Sequence, residues 1–359
     1  MKRTLLITIL SFFLLTATAQ SHFASLDQWL ERETPQMGGR AVLLIYKDGK
    51  LVYTNTENAL TRRQKMAGRW MARRQKKEVN LDDFTPGSKI PIASCSKWLS
   101  AALVMTFVDE GKLQLSDTVG RYLPVLGQYG KGQITIRQCL AHLTGIKAPE
   151  LKESLREMKD IQSMDEAIKQ IALLPVEGAP GTVFRYSNTG LQIAGAVIEK
   201  ISGKSFEQLF AERLAKPLQM KQTDFGNKAV ALPAGGASST ASDYMNFLTM
   251  ILHKGQFNGQ QILSVASVEE MQKNLVTDQV RIAYSPAEAG LTIGYALGEW
   301  VMENGQQGSR TLSSPGLFGS FPWVDKEKGY CAILLCMSVK FEGRHERYQE
   351  LKKLVDSLL

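Results

Sequence analysis

Ile90-Pro91-Ile92-Ala93-Ser94-Cys95-Ser96-Lys97 is a short apolar run that breaks into a serine with a lysine three positions on. Leu99, Leu103, Thr106 and Phe107 then recur at helical spacing, and Gly111 offers a stop. The stretch therefore reads as a strand or turn feeding a helix. Positions i and i+3 share a helix face, so the Lys97 amine can reach the Ser94 hydroxyl. At a helix start, free N–H groups and the positive dipole end favour a developing anion. Serine is a poor nucleophile until a base takes its proton, and a buried lysine of lowered pKa can be that base. The bland alternative is an N-cap serine beside a surface lysine. No other serine in the chain has a lysine three places on.

Outward from this stretch, the two ends of the chain read alike. Ser25 to Glu33 is a helix, Ala41 to Tyr46 a strand, Lys47-Asp48-Gly49-Lys50 a turn and Leu51 to Thr54 the return strand. Strand patterns come back at Thr292 to Trp300, Phe321 to Val324 and Tyr330 to Val339, before an amphipathic helix through Tyr348, Leu351, Leu354, Val355 and Leu358. Between them, helical periodicity dominates, as in Leu191 to Ile201 and Asp243 to His253. The expectation is an α+β fold. One antiparallel sheet, flanked by terminal helices, is assembled from residues 20–93 and 255–359. A mainly helical domain, 94–254, is inserted, with a cleft between the two.

The remaining features bound the setting. The chain has 359 residues, 44% apolar and 22% charged, which suits a large core. Lys2 and Arg3, the apolar run Leu5 to Leu15 and Ala17-Thr18-Ala19 form a cleavable signal peptide, residues 1–19. A periplasmic or secreted protein is expected. Losing Lys2 and Arg3 lowers the formal charge from +8 to +6. Much of the excess lies between Arg62 and Lys77, where eight basic residues and no acidic one interleave with Met66, Trp70 and Met71. This is either a solvated insertion or a peripheral contact with an anionic envelope surface. Export argues against a nucleic-acid partner. Cys95, Cys139, Cys331 and Cys336 match no zinc spacing, and neither a metal nor a cofactor is expected. Cys331 and Cys336 are an odd number of positions apart in one strand and should face opposite sides.

A second chemical candidate is Tyr186-Ser187-Asn188, behind the turn at Pro180-Gly181 and ahead of a helix. In an extended segment i and i+2 point the same way, so both side chains could enter one cleft. A phenol beside a lysine can relay a proton, and an asparagine amide can donate to a substrate carbonyl. Tyr-x-Asn also occurs at Tyr53 and Tyr244, in a hairpin strand and a helix respectively.

Taken together, Ile92–Lys97, Val108–Pro124, Thr135–Gly145, Pro180–Phe225 and Gly235–Thr240 resemble the exported serine hydrolases that include class C β-lactamases, D-alanyl-D-alanine peptidases and β-lactamase-like esterases. The resemblance implies an acyl-enzyme on Ser94, with Lys97 as base, Tyr186 as second base or proton relay, and Asn188 orienting the substrate. Relatives carry Lys-Thr-Gly or His-x-Gly on the strand lining the cleft. The matching stretch here is Ser313-Ser314-Pro315-Gly316-Leu317-Phe318-Gly319, with Ser314 in the cationic position. Gly316 would let substrate approach the strand, and the backbone N–H groups of Leu317 and Ser94 would form the oxyanion hole. Without the cation, a neutral ester suits the site better than a β-lactam or a peptidoglycan peptide. The expected function is an exported serine hydrolase of a small-molecule ester or amide. The alternatives are a D-alanyl-D-alanine carboxypeptidase or β-lactamase, and a non-catalytic penicillin- or peptidoglycan-binding protein.

Overall fold

The computed structural model describes residues 22–74, 76, 80–149, 161–226, 229–286, 294–306 and 308–359. The signal peptide and its cleavage site lie outside these residues, as do Lys77 and Thr292.

Seven antiparallel strands make the main sheet: β1 (Arg40–Lys47), β2 (Lys50–Asn58), β3 (Gly294–Tyr295), β4 (Trp300–Gly305), β5 (Gly308–Ser313), β6 (Phe321–Asp325) and β7 (Tyr330–Cys336). Their spatial order is β2-β1-β7-β6-β5-β4-β3, so the first hairpin joins the C-terminal meander through the β1–β7 ladder. Leu43 stands opposite Leu334 and Ile45 opposite Ala332 in that ladder. Ala41 to Ile45 of β1 and all of β7 are apolar, because both faces of the sheet are covered here.

Alternation decides which residue faces which layer. Leu43, Ile45, Ala332, Leu334 and Cys336 pack against α1 (Ala24–Glu33) and the C-terminal helix through Leu26, Trp29, Leu30, Tyr348, Leu351 and Val355. Val42, Leu44, Cys331, Ile333 and Leu335 face the opposite way, into the helical layer. Cys331 and Cys336 thus point to opposite faces, and all four cysteines are buried free thiols.

The helical layer includes α3 (Ser96–Asp109), α4 (Met164–Leu173), α5 (Thr189–Ser202) and α6 (Ala241–Leu252); the exposed α2 (Arg62–Arg74) precedes it and α7 (Arg344–Leu358) closes the chain. Every residue of α3 from Ser96 to Phe107 is buried. The apolar stripe expected on one side is therefore part of a helix enclosed all round.

Thr292 to Trp300, expected as one strand, is interrupted. A turn follows Tyr295: the Ala296 N–H donates to the Glu299 carbonyl at 2.9 Å, and Gly298 sits at φ +80°. A Cβ there would lie 2.5 Å from the Lys97 carbonyl oxygen, so only glycine allows this turn to press on α3. Among the described residues, no helix is long and apolar enough to cross a membrane.

Candidate active site

Ser94 lies in a single 3-10 turn, Ala93–Cys95, that leads directly into α3. The preceding strand Ile90–Pro91 pairs with Ser238–Ser239, and the Ile92 N–H donates to Ala237 O at 3.0 Å. Ala93 takes φ +46°, a left-handed conformation unusual for a residue with a Cβ. The sharp turn is held from below: Tyr244 Oη donates to Cys95 O at 2.9 Å, and Ser96 Oγ accepts from Ala237 N at 3.0 Å.

Lys97 is wholly buried. Its Nζ donates to Ser94 Oγ at 3.0 Å and to Ala234 O at 2.7 Å. Burial drives the amine down to about 7, and no carboxylate opposes that fall. An appreciable fraction is therefore free base at neutral pH, positioned on the serine hydroxyl. The same Nζ lies 4.7 Å from the centre of the Tyr186 ring.

Tyr186 belongs to an aromatic group. It stacks on Trp300 at 5.1 Å and meets the His142 ring at 4.6 Å. His142 is buried at φ +59°, and burial beside Lys97 holds it well below the ordinary imidazole range. Its Nδ1 accepts from Ser187 N at 3.4 Å, so Nε2 carries the proton and donates to Tyr295 Oη at 3.1 Å. His142 thus bridges the Tyr186 loop and β3. Sequence reasoning did not single it out, although a lone histidine in the apolar run Cys139 to Leu143 was a readable signal.

Asn188 is the N-cap residue of α5 and is buried. It lines a cavity of about 160 Å³ together with Ile161, Ile171, Leu174, Gln192 and Leu232. Gln192 Nε2 donates to Ala231 O at 3.0 Å, while its buried Oε1 has no partner among the described residues. The lining is mainly apolar, with the polar side chains of Gln170, Asn188, Thr189 and Gln192 among it.

The third motif differs from expectation in two places. Ser314 is buried, and its single O–H lies between two carbonyl acceptors, Ser94 O at 3.0 Å and Gly298 O at 3.2 Å. The hydroxyl thus ties the strand end to the nucleophile's own backbone and does not stand bare toward a ligand. At Gly316 an added Cβ would lie 2.4 Å from Ile92 O and 3.2 Å from Cys95 Sγ. The close approach that needs glycine is therefore between this segment and the Ser94 turn. Leu317 is the residue after Gly316, in the segment that meets the turn carrying Ser94. Among the described residues, no acceptor takes the backbone N–H of either one, as an oxyanion hole requires.

Two arginines flank the motif. Arg310 pairs with Asp325 at 3.1 Å. Arg344 is buried and donates to Leu317 O at 2.8 Å, Ser338 O at 3.2 Å and Lys340 O at 2.6 Å. Arg344 fixes the carbonyl side of the Leu317 peptide and was not anticipated from sequence. Among the described residues, no group of three or more His, Cys, Asp or Glu side chains is arranged to hold a metal ion.

A buried serine–lysine pair thus stands at a helix start, with Tyr186 beside the lysine. The chain belongs to the β-lactamase family, which it matches over residues 30–356. Protein Rv1367c of Mycobacterium tuberculosis is 27% identical over 285 residues, 65% of this chain and 71% of that protein. A crystal structure of a candidate β-lactamase from Bacteroides dorei superposes with a TM-score of 0.76 and 26% identity, covering 94% of this chain and 98% of that one. EstCE1, a hydrolase with promiscuous acyltransferase activity, shares the fold at a TM-score of 0.75 and 19% identity, over 94% and 99% of the two chains.

Proposed function

We propose that this protein is an exported hydrolase that cleaves small neutral esters through an acyl-enzyme on Ser94. The observation that carries the reading is the Lys97 amine, buried, near pKa 7 and 3.0 Å from Ser94 Oγ. In the first step Lys97 Nζ takes the hydroxyl proton as Oγ adds to the ester carbonyl. The oxyanion is received by the N–H groups of Ser94 and Leu317; one such donor is worth about 3–4 kcal/mol in the transition state. The proton passes to the leaving alcohol, with Tyr186 beside Lys97 available to relay it, and the C–O bond breaks. Water then adds to the acyl carbon as Lys97 or Tyr186 takes its proton, the bond from that carbon to Ser94 Oγ breaks, and the proton returns to Oγ as the acid leaves.

Two features support an uncharged substrate. Ser314 holds its hydroxyl on protein carbonyls where relatives present a cation, and Arg310 and Arg344 are engaged elsewhere. The mainly apolar cavity beside Asn188 suits a hydrocarbon portion of the ester.

Because only the free amine can act as base, kcat/KM for a nitrophenyl ester should rise with pH and level off, with an apparent pKa of about 7. A profile flat from pH 5.5 to 9, or one that falls through pH 7, would remove Lys97 from the base role. Preference for a cephalosporin over a short neutral ester would overturn the substrate class while leaving the acyl-enzyme intact.

A further inference from the structure

The helix α2 has no buried residue and no acidic one, yet it carries the largest exposed apolar side chains of its region. Met66 is 69% and Trp70 61% exposed. At about 100° per residue, Met66 and Trp70 lie side by side on the helix surface, and Arg62, Arg63, Arg69, Arg73 and Arg74 all fall within about 80° of the line between them. Gly68 is on the opposite side, where a Cβ would come within 2.8 Å of Leu81 Cδ1. Lys65, also turned that way, pairs with Asp83 at 2.6 Å. The helix is therefore held to the protein by its glycine side and presents an indole and a thioether ringed by five arginines. The Arg74 guanidinium lies 5.4 Å from the Trp70 ring centre.

We propose that this face docks the protein on a bilayer surface rich in anionic phospholipid. The arginines meet headgroup phosphates, and Trp70 with Met66 enters the boundary between headgroups and acyl chains. A soluble polyanion would match the arginines but gives no reason to hold a large apolar pair at their centre. A lipid interface uses both, since amphipathic rings and basic stems sit at the headgroup level.

Trp70 makes the test specific. The chain has five tryptophans, and Trp29, Trp98, Trp300 and Trp323 are all buried. Iodide quenching of tryptophan emission therefore reads Trp70. The purified protein is mixed with vesicles of equal parts phosphatidylglycerol and phosphatidylcholine, with phosphatidylcholine vesicles alone, and with polyphosphate. The expected result is a blue shift, loss of iodide quenching and co-sedimentation with the anionic vesicles only, weakened by high salt. Arg69→Glu with Arg73→Glu should weaken that binding tenfold or more and leave ester hydrolysis unchanged. Co-sedimentation that the double reversal leaves intact would overturn the proposal. So would equal protection of Trp70 by polyphosphate, which would make the face a polyanion site.

Discussion

Ala93 carries backbone strain in the turn that holds Ser94. Its left-handed backbone, φ +46°, costs about 1–2 kcal/mol relative to an ordinary conformation and is held by the flanking pairings of Ile92 and Ser96 with Ala237. A β-branched side chain fits this region worse. Ala93→Val should lower the denaturant midpoint by an amount equal to about 2 kcal/mol and reduce kcat on a neutral ester; an unchanged midpoint and kcat would show that the turn relaxes freely. Glu299 is a second residue under strain. It is wholly buried behind α3, and neither carboxyl oxygen has a hydrogen-bond partner among the described residues. Burial pushes this carboxyl well above the ordinary range, and the Lys326 charge opposes that rise only in part. The folded protein then keeps a proton that the unfolded chain gives up, so stability falls as pH rises above the unfolded value. Glu299→Gln should raise the melting temperature at pH 8 by about 2–4 °C and have little effect at pH 4.5. Equal shifts at both values would show that ionisation is not the cause.

The segment after β5 acts as one element. Ser314 holds the Ser94 carbonyl, Gly316 lies against Ile92 and Cys95, and Arg344 grips the Leu317 carbonyl. Ser314→Lys would place a cation in a site that is 1% exposed, so it should destabilise the fold and lower turnover of neutral and anionic esters alike. Selective gain on a cephalosporin, measured by kcat/KM, would instead show that the position opens to the cleft. Ser314→Ala is the milder probe: the Ser94 carbonyl loses a donor, at about 1 kcal/mol, and kcat should fall more than KM rises. The family resemblance placed this stretch beside Ser94, but a sequence cannot show which way a hydroxyl turns. A serine side chain reads the same whether its partner is a ligand or a backbone carbonyl far along the chain. The opposite holds for Ser94 and Lys97. Their contact is local to one helical turn, so spacing alone located it.

At the scale of the molecule, the sheet was readable from both ends because β1 and β7 are apolar runs closed by turn residues, and each end adds a helix with one apolar face. Less readable were features that depend on layers meeting. The Thr292–Trp300 run breaks where Gly298 presses on α3, and His142 looks like one more core residue until β3 and the Tyr186 loop close around it. Those same layers bury Lys97 and lower its pKa to about 7. The central claim is that this burial arms Ser94. Intact mass after incubation with a fluorophosphonate, taken from pH 5.5 to 9 on the wild type and on Ser94→Ala, tests it most directly. The account predicts a single adduct on the wild type, a labelling rate half-maximal near pH 7, and no adduct on the variant. Equal labelling of Ser94→Ala would contradict it.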